Sequence, residues 1–336
     1  MKLDAKFKIW MIIGMVVLIL TGLTALCLGQ FNVPVDQVIS ILLGKGSTLK
    51  NAVTVIRQVR MPRILFSMLA GAGLAAAGAA FQSLFSNPLA TPDTLGTANG
   101  ASFGAALGIL LGISYVGIQL SAMFFGILAV ILVFVVTRTS NGQNKGSIVM
   151  VILAGLVISS LFSALVTLTK FVADPNNILP VITFWLMGSF SSISYKSLQM
   201  GTPLIIAGLI VLYLLRYRMN AMSLSSDEAK SLGVNLPLTR GLIIFSAAAI
   251  TASVVAICGV IGWVGLLIPH IARMLFGNDN RRVIPASILF GAEFMLITDT
   301  IARCASNTEI PVSILTAIIG APVFIILLRK TGGIRV

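Results

Sequence analysis

The sequence predicts an all-α membrane protein, a polytopic bundle of about ten transmembrane helices that occupies the whole chain. Of its 336 residues, 57% are hydrophobic and 10% are charged, and the mean hydropathy is +1.03. A soluble domain carries about 25% charged residues, so this chain lacks the polar surface that water requires. Apolar runs of about 20 residues, long enough to cross a bilayer as a helix, recur along the sequence. Because these runs are continuous rather than alternating, they favour helices over barrel strands.

The apolar runs define a single membrane domain, residues 1–336, without a separate soluble domain. The first run has the charge order of a signal peptide, but it exceeds the usual apolar length of about 7–15 residues, so we predict a retained first span. Residues 30–63 and 216–240 form the two long connections, and neither is long enough to fold as a domain. The predicted spans are residues 9–29, 64–83, 95–113, 116–137, 147–170, 197–215, 241–258, 261–276, 283–302 and 311–328.

The charges between the apolar runs predict the orientation of the bundle. An even number of spans places both termini on one side, and a cytoplasmic N-terminus puts 15 Lys and Arg inside against 8 outside. The positive-inside bias therefore predicts cytoplasmic termini. The eight outside are Lys45, Lys50, Arg57, Arg60, Arg63, Lys170, Lys196 and Arg303.

The remaining composition excludes several other classes of protein. The net charge of +13 is spread in small groups rather than concentrated in one patch, so we predict contact with membrane lipid and no nucleic-acid partner. Cys27, Cys258 and Cys304 are too widely spaced to predict a disulfide or metal framework. The single histidine, His270, lies beside a proline and is interpreted as a structural residue, since a metal site needs several ligands. We predict no metal, no cofactor and no catalytic residues.

The second span is unusually rich in Gly and Ala over residues 69–80. Pairs such as Gly71 and Ala75 have the small-xxx-small spacing that lets helix backbones approach closely in lipid. Tight packing is the structural interpretation, and a pore-lining role is the alternative. In the following stretch, residues 87–96, two prolines end the helix and Asp93 can cap the next one. This stretch is either a plain turn or a docking surface for a cytoplasmic partner.

Three arginines at the external start of the second span, Arg57, Arg60 and Arg63, contradict two local rules. They oppose the positive-inside bias and the positive end of the helix dipole. Because broken local rules mark candidate functional sites, we expect an acidic external partner that forms arginine–carboxylate contacts; snorkelling arginines are the alternative. Asp299 and Arg303, four positions apart in the ninth span, face each other as a structural pair, or Arg303 joins this basic surface.

Glu293 lies near the middle of the ninth span, where a carboxylate is costly unless it is neutral, paired or facing water. It is a candidate functional residue of the membrane interior, and an interhelical hydrogen bond is the favoured structural explanation. A gradient-driven secondary transporter would need such groups in several spans. An intramembrane enzyme would need paired catalytic residues at depth, whereas Glu293 and His270 lie on different helices.

The internal connection, residues 216–240, contains the sequence Asp-Glu-Ala-Lys at 227–230. This pattern predicts a short amphipathic helix, with Ser225 or Ser226 as its N-cap. No G-x-x-x-x-G-K-[ST] phosphate loop occurs in the sequence, so the chain is not expected to hydrolyse a nucleotide. The energy for uphill transport would come from a gradient or from a partner.

A series of short motifs runs along nearly the whole chain. They are Arg60-Met-Pro-Arg63, Ala70-Gly-Ala-Gly-Leu-Ala75, Gln82 with Asn87-Pro-Leu-Ala90, Leu95-Gly96, Trp185-Leu-Met-Gly-Ser189, Ala229-Lys-Ser-Leu-Gly233, Gly259 to Arg273, Arg281, Asp299 with Arg303, Glu309-Ile-Pro311 and Gly320-Ala-Pro-Val-Phe324. Together and in this order they resemble the permease subunits of the iron-chelate and cobalamin class of ATP-binding-cassette (ABC) importers. Glu293 and Asn280 depart from the family pattern, which often has a small or apolar residue and a histidine there.

This resemblance implies the type II ABC importer fold, with ten spans per subunit in a bacterial inner membrane. It also implies a homodimer or a pair with a paralogous permease, two cytoplasmic ATPase subunits and an extracytoplasmic binding protein. Arg60, Arg63 and Arg303 would contact acidic residues on the binding protein. Residues 216–240 would form the coupling loop in the ATPase groove. The coupling residues would be Ser226, Asp227, Glu228, Ala229, Leu232 and Gly233.

The sequence therefore predicts a translocation subunit, not an enzyme, that imports a metal chelate with ATP hydrolysed on a separate chain. An iron-siderophore or haem is the expected cargo. A cobalamin or molybdate permease is the alternative within the family. A gradient-driven secondary transporter is the more remote alternative.

Overall fold

The computed structural model describes residues 2–139, 148–222, 224, 226–306 and 308–330, and within them the regular elements are helices. The main helices are α1 (Lys2–Cys27), α2 (Val35–Leu42), α3 (Ala52–Thr54), α4 (Met61–Leu84), α5 (Thr97–Leu110), α6 (Tyr115–Thr139), α7 (Ile148–Val172), α8 (Ile178–Leu186), α9 (Tyr195–Ala221), α10 (Ser226–Ser231), α11 (Leu236–Cys258), α12 (Val264–Phe276), α13 (Asn280–Cys304) and α14 (Val312–Lys330). A π-helical turn, Val55–Arg60, joins α3 to α4. The all-α prediction is confirmed.

Each of the ten predicted spans coincides with one of these helices, but not all of them are long enough to cross a membrane unaided. Seven helical segments are long and apolar enough by length and composition: those of α1, α3 with α4, α6, α7, α9, α11 and α13. The α5, α12 and α14 helices are shorter, and α5 has only 14 residues. At 1.5 Å per residue α5 covers about 21 Å, less than a hydrocarbon core of about 30 Å.

Helix α4 forms the centre of the bundle and packs against α9, α11, α12 and α13. In the segment that contains it, 83% of the most apolar window is buried. Gly71 lies against the backbone carbonyl of Gly291 on α13, and Gly78 lies against that of Gly265 on α12, so a Cβ atom at either glycine would overlap a backbone atom. The packing interpretation of the Gly- and Ala-rich stretch is confirmed, because small residues permit these backbone contacts.

Helix α1 lies at the periphery and packs mainly on α13. Only 11% of its apolar window is buried, which leaves most of its surface for lipid or another subunit. The connection 30–63 after α1 is more ordered than the sequence predicted. In it, Val38 and Ile41 of α2 are buried with Ile56, so this connection forms a small cap over one end of the bundle.

The helices define two ends of the bundle. The arginine end contains the C-terminus of α1, the N-terminus of α4 and the C-terminus of α13, which are joined by hydrogen bonds from Arg60, Arg63 and Arg303. The amino-terminal end contains the N-termini of α1 and α13, which are joined by an ion pair between Asp4 and Arg282. The C-termini of α4 and α9 also lie at the amino-terminal end.

Candidate functional site

Arg63 is the centre of a buried ionic cluster at the arginine end. Its Nε lies 3.0 Å from both carboxylate oxygens of Asp299, and its Nη2 lies 2.8 Å from Asp299 Oδ1. Its Nη1 donates to Glu309 at 2.8 and 2.9 Å. The side chains of Arg63 and Asp299 are 5% and 0% exposed, whereas that of Glu309 is 30% exposed. The planar guanidinium therefore holds two carboxylates in fork geometry, connecting α4 to α13 and to the segment before α14.

Arg60 and Arg303 hold the C-terminus of α1 rather than a carboxylate. Arg60 donates to the backbone carbonyls of Leu26, Cys27 and Phe31, and Arg303 donates to that of Ala25. The last carbonyls of a helix lack helical donors and carry the negative end of its dipole. The guanidinium groups of Arg60 and Arg303 supply both the hydrogen-bond donors and the positive charge that this helix end lacks. They explain why α1, which is loosely packed, ends at a fixed place.

In the structure these three arginines are buried, and their charge is compensated within the chain. Arg60 and Arg63 are each 4% exposed and Arg303 is 5% exposed. Their compensation comes from carboxylates and carbonyls of the same chain, which are distant in sequence. The expected pairing of Asp299 with Arg303 is replaced by a direct pair with Arg63. Arg57 is exposed, and its Nη2 donates to the carbonyl of Ile41 at 2.8 Å. Docking of a partner at this end stays a prediction.

At the amino-terminal end, the predicted helix in the connection 216–240 is present as α10. Ala229 is fully buried, Glu228 is exposed and Leu232 is 64% exposed. Gly233 ends the helix with φ +74°, and its N–H donates to the carbonyl of Lys230 at 2.9 Å. A positive φ favours glycine at a helix end. The candidate N-cap Ser225 and the side chains of Ser226 and Asp227 lie outside the described residues.

The N-terminus of α13 is capped next to this segment. Asp279 accepts from the backbone N–H of Arg281 at 3.0 Å and from Nδ2 of Asn220 at 2.7 Å. The Arg281 guanidinium also donates to both Asp279 oxygens, at 3.0 and 2.8 Å. Chiefly through this hydrogen bonding, Arg281 lowers the pKa of Asp279 to about 2, so the cap remains ionised at physiological pH.

Glu293 lies on the side of α13 that faces α1. Its Oε1 accepts a hydrogen bond of 2.7 Å from Oγ1 of Thr21. The favoured structural explanation, an interhelical hydrogen bond, is therefore confirmed. Its Oε2 is buried without a partner among the described residues. Within the described part of the chain, no Lys or Arg side chain forms an ion pair with it.

A small cavity lies where α4, α11 and α12 meet the 3₁₀ turn Pro92–Leu95. Its volume is about 30 Å³, and it is lined in part by Asp93, Thr251 and Trp263. The prediction that Asp93 caps α5 is wrong: α5 begins at Thr97, preceded by Gly96 at φ +77°, and has no side-chain cap. No sequence signal indicates this cavity, because three of its walls are distant in sequence.

The remaining polar candidates form no metal site. Among the described residues, no three His, Cys, Asp or Glu side chains are grouped so that they could hold an ion. The ring of His270 packs edge-on against Phe324 with centroids 5.5 Å apart, and its Nε2 has no partner among the described residues. Cys27, Cys258 and Cys304 are free thiols.

The fold and its two polar ends define a multi-pass membrane protein. Residues 17–330 match the FecCD transport family, and the chain belongs to this family. It is 42% identical over 317 residues to the molybdate import system permease protein MolB of Haemophilus influenzae, covering 93% of each chain. It is 35% identical to the Fe(3+)-citrate import system permease protein YfmE of Bacillus subtilis, covering 94% of this chain and 92% of that protein.

A solved structure has the same fold. A metal-chelate type ABC transporter in an inward-facing conformation superposes with a TM-score of 0.87 at 39% identity, covering 95% of this chain and 98% of that one. The family resemblance stated from the sequence is thereby confirmed, and the chain is an ABC importer permease of the inner membrane. The relatives differ in the cargo that their names state, so family membership does not select one.

The Arg63 cluster predicts a large loss of stability when one of its partners is neutralised. Asp299→Asn should lower the free energy of unfolding by about 3–5 kcal/mol, because it leaves a buried guanidinium without its main counter-charge. Asp4→Asn is the matched control, since Asp4 is 62% exposed in its pair with Arg282 and should contribute at most about 1 kcal/mol. Size-exclusion chromatography after heating the detergent-solubilised proteins measures both effects. Equal midpoints for the two variants would contradict the assignment.

Proposed function

We propose that this chain is the translocation subunit of a binding-protein-dependent importer of a metal chelate, driven by ATP hydrolysed on partner subunits. The observation that carries this proposal is the match of residues 17–330 to the FecCD transport family, together with the 42% identity to an importer permease over 93% of the chain. The excess of Lys and Arg on the predicted inner side supports cytoplasmic termini. In this orientation the amino-terminal end faces the ATPase subunits and the arginine end faces the binding protein.

We assign the ATPase contact to α10 and the residues that follow it. Leu232 is 64% exposed beside the fully buried Ala229, so the segment is anchored on one side and offers an apolar side chain on the other. Glu228 is exposed on the same short helix. Exposed apolar side chains that fill a pocket on a partner contribute disproportionately to interface affinity. This arrangement favours a rigid contact through which ATPase movement reaches the bundle.

Leu232→Ala should weaken the ATPase complex by about tenfold, since truncating an interface anchor costs about 1–2 kcal/mol. Leu43→Ala is the matched control, because Leu43 is 67% exposed at the opposite end. Affinity for the purified ATPase measures the difference, and thermal stability of the free permease checks that both variants fold. If both variants bind the ATPase as tightly as the parent, α10 does not form the contact.

We assign binding-protein docking to the arginine end, with Arg57 rather than Arg60, Arg63 and Arg303 as its first contact. Arg57 is exposed, whereas the other three are bonded within the chain. The buried arginines would support docking indirectly, by fixing the ends of α1, α4 and α13. Exposed charges at an interface mainly affect association and its salt dependence.

Arg57→Glu should weaken binding-protein affinity by about tenfold at about 0.05 M salt and by much less at about 0.5 M, because salt screens an exposed contact. Lys8→Glu is the matched control, since it makes the same change of charge at the exposed opposite end. Binding of the purified binding protein to the permease in nanodiscs measures both. An affinity unchanged by Arg57→Glu at low salt would remove this residue from the interface.

We propose that the translocation pathway forms between two permease subunits, as a homodimer or with a paralogous chain. The cavity beside Asp93 measures about 30 Å³. Small-molecule pockets occupy about 300–1,000 Å³, so this cavity cannot hold a chelate. Large exposed apolar side chains on α7, such as Val157 at 67% and Phe171 at 85%, leave surface for a partner or for lipid.

The favoured cargo is a ferric siderophore or haem, with molybdate as the second candidate. The iron-citrate relative and the similarity to a metal-chelate type transporter support an iron chelate, whereas the 42% identity to a molybdate permease supports molybdate. A gradient-driven transporter loses its main support, because Glu293 is bonded to Thr21 on the peripheral α1. Cobalamin remains an alternative from the family resemblance.

The cargo can be assigned by uptake into proteoliposomes that contain the permease, its ATPase and its binding protein. We expect ATP-dependent accumulation of one cargo class, at least about tenfold above the rate without ATP. The panel is radiolabelled molybdate, ferric citrate, a ferric hydroxamate siderophore, haem and cyanocobalamin. Uptake of molybdate alone would show that molybdate, rather than an iron chelate, is the cargo. Uptake driven by a proton gradient without the ATPase would overturn the proposed function.

A further inference from the structure

A chain of hydrogen bonds starts at the C-terminus of α9, directly before the segment that contains α10. The side-chain oxygen of Asn220 accepts from the backbone N–H of Asn280 at 2.8 Å, while its Nδ2 donates to Asp279. One amide therefore binds the N-terminus of α13 at two points. These two bonds connect the end of α9 directly to α13.

The series of hydrogen bonds continues from α13 to α4 and α12. Ser83 Oγ lies 2.7 Å from Oδ1 of Asn280 and accepts from Nη2 of Arg273 at 3.0 Å. Arg273 also donates from Nε to Oε1 of Gln82 at 3.4 Å. Gln82 and Asn280 are 3% and 4% exposed. Buried hydrogen bonds of this kind are costly to leave unsatisfied, so they resist rearrangement one at a time.

The series of hydrogen bonds ends at a backbone carbonyl of α12 that has no donor within its own helix. Nε2 of Gln82 lies 3.4 Å from the carbonyl oxygens of both Gly265 and Leu266. In an α-helix the carbonyl of Gly265 would accept from residue 269, but Pro269 has no N–H. The side-chain amide of Gln82 on α4 therefore offers an N–H to the carbonyl of Gly265, for which α12 itself has no donor.

The turn that Gln82 contacts is also bounded on its N-terminal side by unusual backbone. Trp263 precedes α12 with φ +71°, a region that non-glycine residues rarely adopt. Its ring packs against Phe324 of α14 with centroids 6.5 Å apart. Residues 261–263, 265 and 266 also line the cavity beside Asp93. Strained backbone on one side and Pro269 on the other separate this turn mechanically from the rest of α12.

We propose that Asn220, Ser83 and Gln82 are positioning residues that couple the α10 segment to the first turn of α12. The inference rests on the proposed function, because it takes α10 as the ATPase contact. When the ATPase moves α10, the end of α9 shifts the N-terminus of α13. Ser83, Arg273 and Gln82 then carry this displacement to the turn, which changes the cavity beside Asp93. Each residue acts through its neighbours and touches no cargo.

The test measures exposure of the first α12 turn in two nucleotide states. The reporter is Gly262→Cys, since a Cβ atom there meets no atom within 4 Å. Cys27→Ser and Cys304→Ser remove the more accessible thiols, while Cys258 is 3% exposed and is retained. The permease–ATPase complex in nanodiscs is labelled with N-ethylmaleimide, without nucleotide and after trapping with ATP and vanadate. The readout is the ratio of the two labelling rates within each variant.

The parent ratio should differ from one by at least about fivefold, and Ser83→Ala or Gln82→Ala should bring it towards one by a similar factor, which corresponds to one net hydrogen bond. Ser67→Ala is the matched control on α4, because among the described residues the Ser67 hydroxyl bonds only the carbonyl of Ile64 in its own helix. It should keep the parent ratio. A merely structural role would lower the yield of complex but leave the ratio unchanged.

Two results would overturn the inference. One is a ratio of one in a parent complex that hydrolyses ATP, and the other is a parent-like ratio in the interrupted variants. Since Ser83→Ala and Gln82→Ala break the chain at different bonds, either variant that assembles suffices. A parent that forms no complex with its ATPase would instead count against the proposed function, so the two failures are distinguishable.

Discussion

Direct backbone contact along α4 is the constraint on which the rest of the structure depends. Gly71 meets the backbone of Gly291 and Gly78 meets that of Gly265, at distances that exclude any side chain. In a membrane the hydrophobic effect does not drive helices together, so such close van der Waals contact is a main source of association. This contact fixes α4 against α12 at Gly78 and against α13 at Gly71. It thereby also fixes the positions of the two ends of α4.

Each end of α4 carries one of the two polar clusters. At the arginine end Arg63 connects α4 to α13 through Asp299. At the other end Ser83 connects it to Asn280, the first residue of α13. The same pair of helices is therefore joined by charge at one end, by backbone packing in the middle and by neutral hydrogen bonds at the other. A neutral hydrogen bond contributes less than a buried ion pair, so the direct polar contact between α4 and α13 is the weaker one at the amino-terminal end.

Local sequence signals predicted the fold, whereas the contacts that build the sites depend on distant residues. Apolar runs and small-residue spacing located the ten helices and the packing of α4, because both are properties of a single segment. The partners of Arg63 lie 236 and 246 positions away, so the sequence showed an arginine without its carboxylates. The role of Gln82 depends on Pro269 in another helix. Pro269 is visible in the sequence. A donor for the carbonyl of Gly265, which Pro269 leaves without its helical partner, could be assigned only once the helices were placed together.

The arginines on the predicted external side violate the positive-inside rule, which counts Lys and Arg and gives acidic residues little weight. Asp299 and Glu309 lie at the same end and bind Arg63, so its charge is compensated within the chain. An acidic partner that approached Arg63 would have to compete with both carboxylates, of which only Glu309 is partly exposed. Among the described residues, the Arg57 guanidinium donates to a backbone carbonyl and forms no ion pair, so no carboxylate of the described chain neutralises its charge. The rule broken in the sequence therefore reports internal architecture at Arg63 and leaves an available positive charge at Arg57.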